Sequence, residues 1–194
     1  MGVEYELKFR AEPRQQAAIR AEIQGTEQEF DMETTYYDAL DESLSQRYYT
    51  LRRRMENGNA VCTLKTPNQG AGRGEWEVAC ENIEEAIDKL CQLGAPADLK
   101  IFTAGGICRV CGAKFHRIAK TVQLPEGVVE LALDQGVLTG GGKELPLCEV
   151  EVELKEGSIE MTRAYALVLA ARYGLVPEKG SKFRRALALA KGEK

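Results

Sequence analysis

The sequence predicts an α+β fold in which an antiparallel barrel of seven or eight short strands is surrounded by peripheral helices. Several segments alternate apolar and charged residues, as half-buried strands do. Turn sequences such as Asn57-Gly58 join neighbouring strands into hairpins, and amphipathic segments of helical period separate the groups of strands. Because the 194 residues contain no repeat or interdomain linker, we expect a single domain over residues 1–194.

The first element is a strand over residues 3–10, V-E-Y-E-L-K-F-R, because its apolar and charged residues alternate strictly. Pro13 then begins a helix that runs to about Gln24 and stops at Gly25. Composition and turn signals predict further strands over residues 36–38, 48–55, 60–66 and 75–80. Helical spacing predicts helices over residues 82–93 and 97–104.

The C-terminal half again combines strands with helices. Strands are predicted over residues 115–124, 128–134 and 149–154, with turns at Pro125-Glu126-Gly127 and Gly140-Gly141-Gly142. A long helix follows over residues 158–173, and a short terminal helix over residues 183–190.

Ionisable residues lie on only one face of nearly every predicted strand. Because successive side chains of a strand alternate, one side of the first strand carries Glu4, Glu6, Lys8 and Arg10. The other sets of equal parity are Arg52 and Arg54, Thr63 and Lys65, Glu75 and Glu77, Glu130 and Asp134, and Glu149, Glu151 and Glu153. Most strands therefore have one charged face and one apolar face.

The apolar faces indicate which way the charged faces point. An ordinary half-solvated sheet would leave its charged face in water. The predicted helices, however, would cover the apolar faces from outside the barrel, which turns the charged faces inward. A lumen of charged groups is costly unless it is hydrated or pairs with a ligand. Since carboxylates suit Mg²⁺ or Mn²⁺ and basic groups suit phosphate, the pattern predicts metal-assisted phosphoryl transfer.

Composition argues against several other classes of protein. The formal net charge of −4, from 26 basic and 30 acidic residues, disfavours a nucleic-acid-binding protein. No apolar stretch reaches the roughly 20 residues of a membrane span, and the acidic N-terminus does not resemble a signal peptide, so we expect a cytoplasmic protein. His116, the single histidine, disfavours a Ser-His-Asp triad. The six cysteines, including Cys108 and Cys111, fit reduced thiols.

The charged motifs resemble those of the CYTH superfamily, the triphosphate tunnel metalloenzymes, named for class IV adenylyl cyclase and thiamine triphosphatase. The N-terminal E-x-E-x-K of that family is met by Glu4, Glu6 and Lys8. The resemblance continues in chain order through Tyr36-Tyr37-Asp38, Leu51-Arg52-Arg53-Arg54, Thr63-Leu64-Lys65, Glu75-Trp76-Glu77, Arg117, residues 130–134, residues 148–155 and residues 181–187. It therefore covers nearly the whole chain.

The resemblance implies a closed eight-stranded barrel, one CYTH domain, that forms a tunnel for a triphosphate with Mg²⁺ or Mn²⁺. The implied metal ligands are Glu4, Glu6, Glu130, Asp134, Glu149, Glu151 and Glu153. The implied phosphate-binding residues are Lys8, Arg52, Arg54, Lys65, Arg117 and Lys182. The implied catalytic set is Glu4, Glu6, Lys8, Glu75 and Glu77. The residues implied to bind a second metal or to orient the attacking water are Glu75, Glu77, Glu130 and Asp134. The alternation leaves open which two of the three late glutamates are ligands.

Three positions depart from the family's pattern, and one of them, Gly180, has no consequence that the sequence explains. Ala39 stands where the family often has threonine. Ala119 stands where many members have a second basic residue, and the neighbouring Lys120 has the opposite parity. One phosphate contact fewer would alter substrate preference before it abolished binding.

The charge of the implied tunnel reconciles an acidic protein with a polyanionic ligand. The residues named above put nine acids and six bases in the lumen, a net charge of −3. About two divalent ions would reverse that sign, so we expect the triphosphate to bind only together with metal.

The segments over residues 148–155 and 181–187 look most like the bacterial inorganic triphosphatases. The expected reaction is therefore hydrolysis of tripolyphosphate, in which metal-activated water releases orthophosphate. Alternatives are a thiamine or nucleoside triphosphatase, a class IV adenylyl cyclase, and a non-catalytic polyphosphate-binding module. The expected partner is a small molecule carrying a triphosphate; the sequence does not determine the oligomeric state and is compatible with a homodimer.

Overall fold

An antiparallel sheet of ten strands, with six helices around it, makes up the fold of the computed structural model, which describes residues 2–67 and 73–193 and side chains from Glu4 onward. The strands are β1 (Gly2–Glu4), β2 (Glu6–Arg10), β3 (Thr26–Ala39), β4 (Thr50–Glu56), β5 (Asn59–Pro67), β6 (Arg73–Ala79), β7 (Ile107–Leu124), β8 (Gly127–Gly140), β9 (Lys143–Glu156) and β10 (Val176–Pro177). The helices are α1 (Pro13–Glu22), α2 (Ser43–Gln46), α3 (Ile83–Gln92), α4 (Asp98–Thr103), α5 (Ile159–Tyr173) and α6 (Lys182–Lys191). The predicted α+β class is confirmed.

The two ends of the sheet meet at the N-terminal segment. The strand order is β1-β6-β5-β4-β3-β7-β8-β9-β2-β10, and every pairing is antiparallel. β1 pairs with β6, whereas β2, which follows it after Tyr5, pairs with β9. The predicted barrel has eight strands closed by hydrogen bonds, but the observed sheet has ten and is joined at this point by the continuous chain. The first predicted strand divides because one segment pairs with different neighbours before and after Tyr5.

Several strands are longer than their alternation predicts. β3 begins at Thr26 although residues 36–38 alone were expected, and β7 begins at Ile107. The first four residues of β3, Thr26 to Glu29, are polar and exposed, so they show no apolar alternation, and their strand conformation comes from the pairing of β3 with β7 over Thr26 to Ala39. The Asn57-Gly58 hairpin is as predicted, with both residues at positive φ.

Helices cover the apolar faces of the strands, as the sequence predicts. α3 and α4 pack on β4, β5 and β6 in a core that includes Leu51, Leu64, Leu90 and Leu99. α1 and α5 pack on β2, β8 and β9 in a second core around Ile19. α6 instead packs at one end of the sheet, in a third core that joins it to β3, β7, β8 and β9.

Short segments around β4 differ from expectation. α2 was not predicted, and it is held by the Asp38 carboxylate, which accepts hydrogen bonds from the backbone N–H groups of Leu44 and Ser45. β4 begins at Thr50 and not at Tyr48, because Tyr48 has a left-handed backbone with φ of 60°. None of the helices in the described part of the chain is long and apolar enough to span a membrane.

Candidate functional site

One cavity of about 280 Å³ is lined by residues of β1 through β9 and by the N-terminus of α6. Because all nine strands contribute, the sheet wraps around this space, which we call the central cavity. Its charged lining consists of the acids Glu4, Glu6, Glu56, Glu75, Glu77, Glu130, Glu151 and Glu153 and the bases Lys8, Arg52, Arg54, Lys65, Arg73, Arg117, Lys155 and Lys182. The charged strand faces therefore point inward.

Most of the residues selected from the sequence line the central cavity. Thirteen of the fifteen do so, and the two that do not are Asp134 and Glu149, whose side chains are fully buried. The six predicted phosphate-binding bases and the catalytic set all have a place in the lining. Their individual roles remain predictions.

Three charged residues of the lining were missed. Glu56, Arg73 and Lys155 each lie two residues from a predicted site residue on the same strand, so strand parity could have identified them. With them the lining has eight acids and eight bases, and its formal charge is zero where the sequence predicted −3. The cavity is thus electrically balanced before any ligand enters.

A row of carboxylates crosses three neighbouring strands. In the sheet register Glu6 on β2 lies opposite Glu153 on β9, and Glu153 lies opposite Glu130 on β8. Like charges in directly opposed positions repel. Burial raises the pKa of Glu153, although the ammonium of Lys155 lies 2.8 Å from its Oε1. Lys8 and Lys155 partly neutralise this row, and a divalent cation would reduce the remaining repulsion.

Glu4 lies beside this row and carries one oxygen without a partner. Its Oε1 lies 2.5 Å from Lys65 Nζ, while the buried Oε2 has no hydrogen-bond partner among the described residues. Burial raises the pKa of Glu4, but Lys65 and Arg52 outweigh that effect, so the pKa lies below its ordinary value. A carboxylate that stays ionised, with a free oxygen beside other carboxylates, fits a hard divalent cation.

Glu75 and Glu77 lie on β6 across from the bases of β4 and β5. Lys65 Nζ is 3.2 Å from Glu75 Oε1, whereas Arg52 Nη2 is 3.9 Å from Glu75 and 3.6 Å from Glu77. Burial raises the pKa of Glu75, and the negative charge of Glu4 adds to the increase. Thr63 donates a hydrogen bond to Glu77. Glu75 is therefore a carboxyl group whose proton affinity exceeds that of a free glutamate.

Arg54 is a buried cation with little local compensation. Its Nε donates to Thr34 Oγ1 at 2.9 Å, and the nearest carboxylate oxygen, on Glu56, lies 3.7 Å from Nη1. Burial, together with the charges of Arg52 and Arg117, lowers the pKa of Arg54 to about 10. An anion in the central cavity would relieve this cost, so Arg54 and Arg52 form a basic wall whose charge suits an anion.

At the end of the sheet that α6 covers, a second cluster of acidic side chains is already paired with basic side chains. Ligand oxygens of Asp134, Glu149 and Glu151 lie within 4.8 Å of one another, a spacing that suits a metal ion. Lys182 Nζ, however, lies 2.8, 2.7 and 2.6 Å from these three carboxylates in that order. Arg117 donates two hydrogen bonds to the Asp134 carboxylate, one from Nε and one from Nη2, each 2.7 Å long. Arg185 pairs with Glu149 as well, so three basic groups, Lys182, Arg117 and Arg185, balance the charge of the three acids.

The remaining notable residues lie away from the cavity. Lys120, whose parity is opposite to that of Arg117, donates to the carbonyls of Arg20 and Ile23 in and after α1, while Ala119 lines the cavity. His116 is on the outer face, where it contacts Asp31. All six cysteines are free thiols.

The chain matches the CYTH domain over residues 2–187, and it therefore belongs to that family. It is similar to an inorganic triphosphatase of Haemophilus influenzae, with 26% identity over 159 residues. That match covers 80% of this chain and 45% of the relative, so the chain spans about half the length of the curated relative.

Solved structures show the same fold. The PH1819 protein of Pyrococcus horikoshii has a TM-score of 0.68 at 20% identity, with 96% of this chain and 99% of that chain covered. The HpAC1 protein of Hippeastrum, described by a dominant triphosphatase activity, has a TM-score of 0.65 at 16% identity, with 100% of this chain and 97% of that chain covered. At these identities the likeness concerns the fold.

Proposed function

We propose that this protein hydrolyses the terminal phosphoanhydride bond of a triphosphate, with inorganic tripolyphosphate as the preferred substrate and Mg²⁺ or Mn²⁺ as the cofactor. The observation that carries the proposal is the central cavity, which places a row of carboxylates opposite a wall of basic side chains. A phosphate chain with bound divalent cations is the ligand that pairs with both.

The bases on the wall bind the phosphate oxygens. Arg52 and Arg54 are the least compensated of them, and Lys8, Lys65, Arg117 and Lys182 extend the positive groups along the cavity. Guanidinium and ammonium groups hold phosphate by charge-assisted hydrogen bonds. They therefore fix the terminal phosphorus in position and stabilise the charge that develops on its oxygens.

The carboxylates divide into two tasks. Glu4, Glu6, Glu130 and Glu153 would hold the cation, because Glu6, Glu153 and Glu130 are neighbours in the sheet register and the Glu4 Oε2 has no partner among the described residues. A divalent ion bound there would activate water and neutralise phosphate charge. Glu75 accepts the proton of the attacking water, since its raised pKa makes it a better base than a free glutamate. The new P–O bond forms as the anhydride bond breaks, releasing orthophosphate and pyrophosphate.

The descriptions of two similar proteins also support the proposal. The Haemophilus influenzae relative is named an inorganic triphosphatase, and the Hippeastrum protein is described by a dominant triphosphatase activity.

Phosphate release from tripolyphosphate, ATP and thiamine triphosphate, each with Mg²⁺ or Mn²⁺ and with EDTA as the control, tests the proposal. We expect release from tripolyphosphate to be fastest and to stop with EDTA. Cyclic AMP formed from ATP would favour the cyclase alternative, and binding without release from any substrate would leave a non-catalytic module. Faster release from ATP or thiamine triphosphate would overturn the substrate preference but not the reaction.

A further inference from the structure

The acidic cluster beside α6 contains one carboxylate that the proposed reaction does not use. Glu149 is fully buried and lies outside the lining of the central cavity. Two bases of α6 nevertheless reach it, one at each oxygen: Lys182 Nζ lies 2.7 Å from Oε2, and Arg185 Nη2 is paired with Oε1. Residues three positions apart on a helix lie on the same side of it, so α6 brings both bases to Glu149.

The two bases differ in their other contacts. Lys182 lines the central cavity and donates a hydrogen bond to Glu151 Oε1 at 2.6 Å. Arg185 is no part of that lining in the described chain, and its Nη1 lies 3.7 Å from Oε2 of Glu178, in the segment between β10 and α6. Lys182 can therefore contact a ligand in the cavity, whereas Arg185 can influence that ligand only through neighbouring charges.

Arg185 sets how strongly the acidic cluster holds Lys182. The cluster has three acids and three bases, namely Asp134, Glu149 and Glu151 with Lys182, Arg117 and Arg185. Without Arg185, three carboxylates would face two bases, and the excess negative charge would act on Lys182, whose ammonium lies within 2.8 Å of all three acids. Charges attract one another more strongly in a protein interior than in water. An ammonium held in this way is less available to a phosphate oxygen.

Gly180 leaves room for the Arg185 side chain to reach Glu149. A Cβ at position 180 would lie 3.0 Å from Arg185 Cγ and 3.3 Å from its Cδ. Carbon atoms ordinarily pack at about 3.5–4.0 Å, so the arginine would have to shift. The Gly180 N–H donates a 2.8 Å hydrogen bond to Glu178 Oε1, which fixes the backbone here. The glycine that departs from the family's pattern therefore has a consequence in the structure.

We propose that Arg185 is a positioning residue: it balances the charge of Glu149, so that the ammonium of Lys182 is available to a phosphate oxygen of the ligand in the central cavity. Glu149 is then a counter-ion of α6 and not a metal ligand. The inference rests on the proposed function, because it takes Lys182 as a phosphate contact. Arg185 itself touches neither the substrate nor the metal.

Calorimetric binding of the bis-methylene analogue of tripolyphosphate with Mg²⁺ tests this role without turnover, because water does not cleave the P–C bonds of the analogue. We expect Arg185→Gln to weaken its binding about tenfold, as the loss of a supporting partner of a ligand-binding group does. Adding Glu149→Gln to Arg185→Gln should restore the wild-type affinity, because two acids then face two bases. Arg184→Gln removes the same charge from an exposed position of α6 and, as the control, should bind as the wild type does.

Restored binding separates this role from a merely structural one, since the double variant still lacks the ion pair between α6 and β9. Equal binding by Arg185→Gln and the wild type would overturn the inference, and so would a double variant that binds no better than Arg185→Gln. Weaker binding by Glu149→Gln alone would also overturn it, because Glu149 would then act on the ligand or the metal directly.

Gly180→Ala takes the place of Arg185→Gln if circular dichroism shows that the latter does not fold. The added Cβ displaces the Arg185 side chain and leaves every charge in the protein, so binding should again weaken and be restored by Glu149→Gln. Unchanged binding by Gly180→Ala would in that case refute the inference.

The binding assay also separates this inference from the proposed function. A protein that binds the analogue but hydrolyses no triphosphate would refute the reaction, while the affinities of the variants would still decide the role of Arg185. Failure of the wild type to bind the analogue would overturn the inference whether or not a triphosphate is hydrolysed.

Discussion

Glu4 and Lys8, only four residues apart, have different surroundings within one cavity. Glu4 is buried, is bonded to Lys65 by one oxygen, and has no partner for the other in the described structure. Lys8 Nζ lies 2.9 Å from Glu6. Neither side chain is part of the three apolar cores. Under the proposed function, we therefore expect them to contribute to ligand binding more than to folding.

Replacing these residues should separate activity from stability. We expect Glu4→Gln and Lys8→Ala each to reduce phosphate release by roughly 100-fold or more while the far-ultraviolet circular dichroism stays that of the wild type. Glu4→Gln should also weaken Mg²⁺ or Mn²⁺ binding measured by calorimetry, because it removes a charged ligand. Glu33→Gln, an exposed change on β3, is the control. Unfolding of either variant would assign these residues a structural role, and unchanged metal binding by Glu4→Gln would remove Glu4 from the metal site.

Glu75 should control the acidic limb of the pH profile. Its pKa is raised by burial above the ordinary 4.5, and a general base must be deprotonated to act. Activity should therefore increase as the pH rises through this pKa, and Glu75→Gln should lose both this limb and about 10²- to 10⁴-fold in kcat. Phosphate release measured across the acidic range checks this, with the exposed Glu81→Gln as control. A Glu75→Gln variant that keeps the wild-type limb would assign the base to another residue.

Among the elements, α6 contacts the sheet through both apolar side chains and ion pairs. Its Phe183 packs against Tyr36 with ring centroids 5.2 Å apart, and Lys182 fills the space between three carboxylates. Burial disfavours an ammonium, but these carboxylates raise the pKa of Lys182. The helix is thereby attached to β8 and β9 by ion pairs as well as by apolar contacts.

Removing the ammonium group of Lys182 should destabilise the protein more than a typical substitution at the surface does. Lys182→Met leaves buried carboxylates without their common partner, which we expect to cost about 3–5 kcal/mol of the free energy of unfolding. Urea denaturation measures this cost, and Lys191→Met, on the same helix but exposed, is the control. Equal stability of Lys182→Met and wild type would show that the arginines alone compensate these acids.

For the whole molecule, the balance of charge in the central cavity links stability to pH. The eight acids and eight bases of the lining offset one another when all are ionised. Protonation of the acids would leave the bases uncompensated inside the sheet. The pairs of Asp134 and Glu151 with Arg117 and Lys182 contribute most directly, since these acids have lowered pKa values despite burial.

Acid should therefore unfold the protein through these pairs. Ordinary pKa values of 3.8 for aspartate and 4.5 for glutamate apply to the unfolded chain, and both are lowered in the folded protein. The stabilisation is fully present above about pH 4.5 and is lost as the pH falls through the folded values. Melting temperatures measured from about pH 7 to about pH 3 should drop steeply at the acidic end. In Asp134→Asn the acidic drop should be shallower; a drop as steep as in the wild type would contradict this origin.

Strand parity made most of the candidate site predictable. The alternation of Glu4, Glu6 and Lys8, or of Arg52 and Arg54, depends only on the two-residue period of an extended backbone, which is a local property. Asp134 and Glu149 have the same parity as their neighbours, yet they lie against Lys182 and outside the cavity lining. That placement depends on where α6 docks, which no local pattern specifies.

By itself the sequence determined the α+β class, the inward charged faces, the Asn57-Gly58 hairpin and the motifs of the CYTH family, because each follows from residues close together in the chain. Only the tertiary structure decided the change of pairing partner at Tyr5, the ion pairs of Lys182, and the approach of Arg185 to Glu149. These features join segments far apart in sequence. Their geometry depends on sheet register and helix docking, which long-range packing sets.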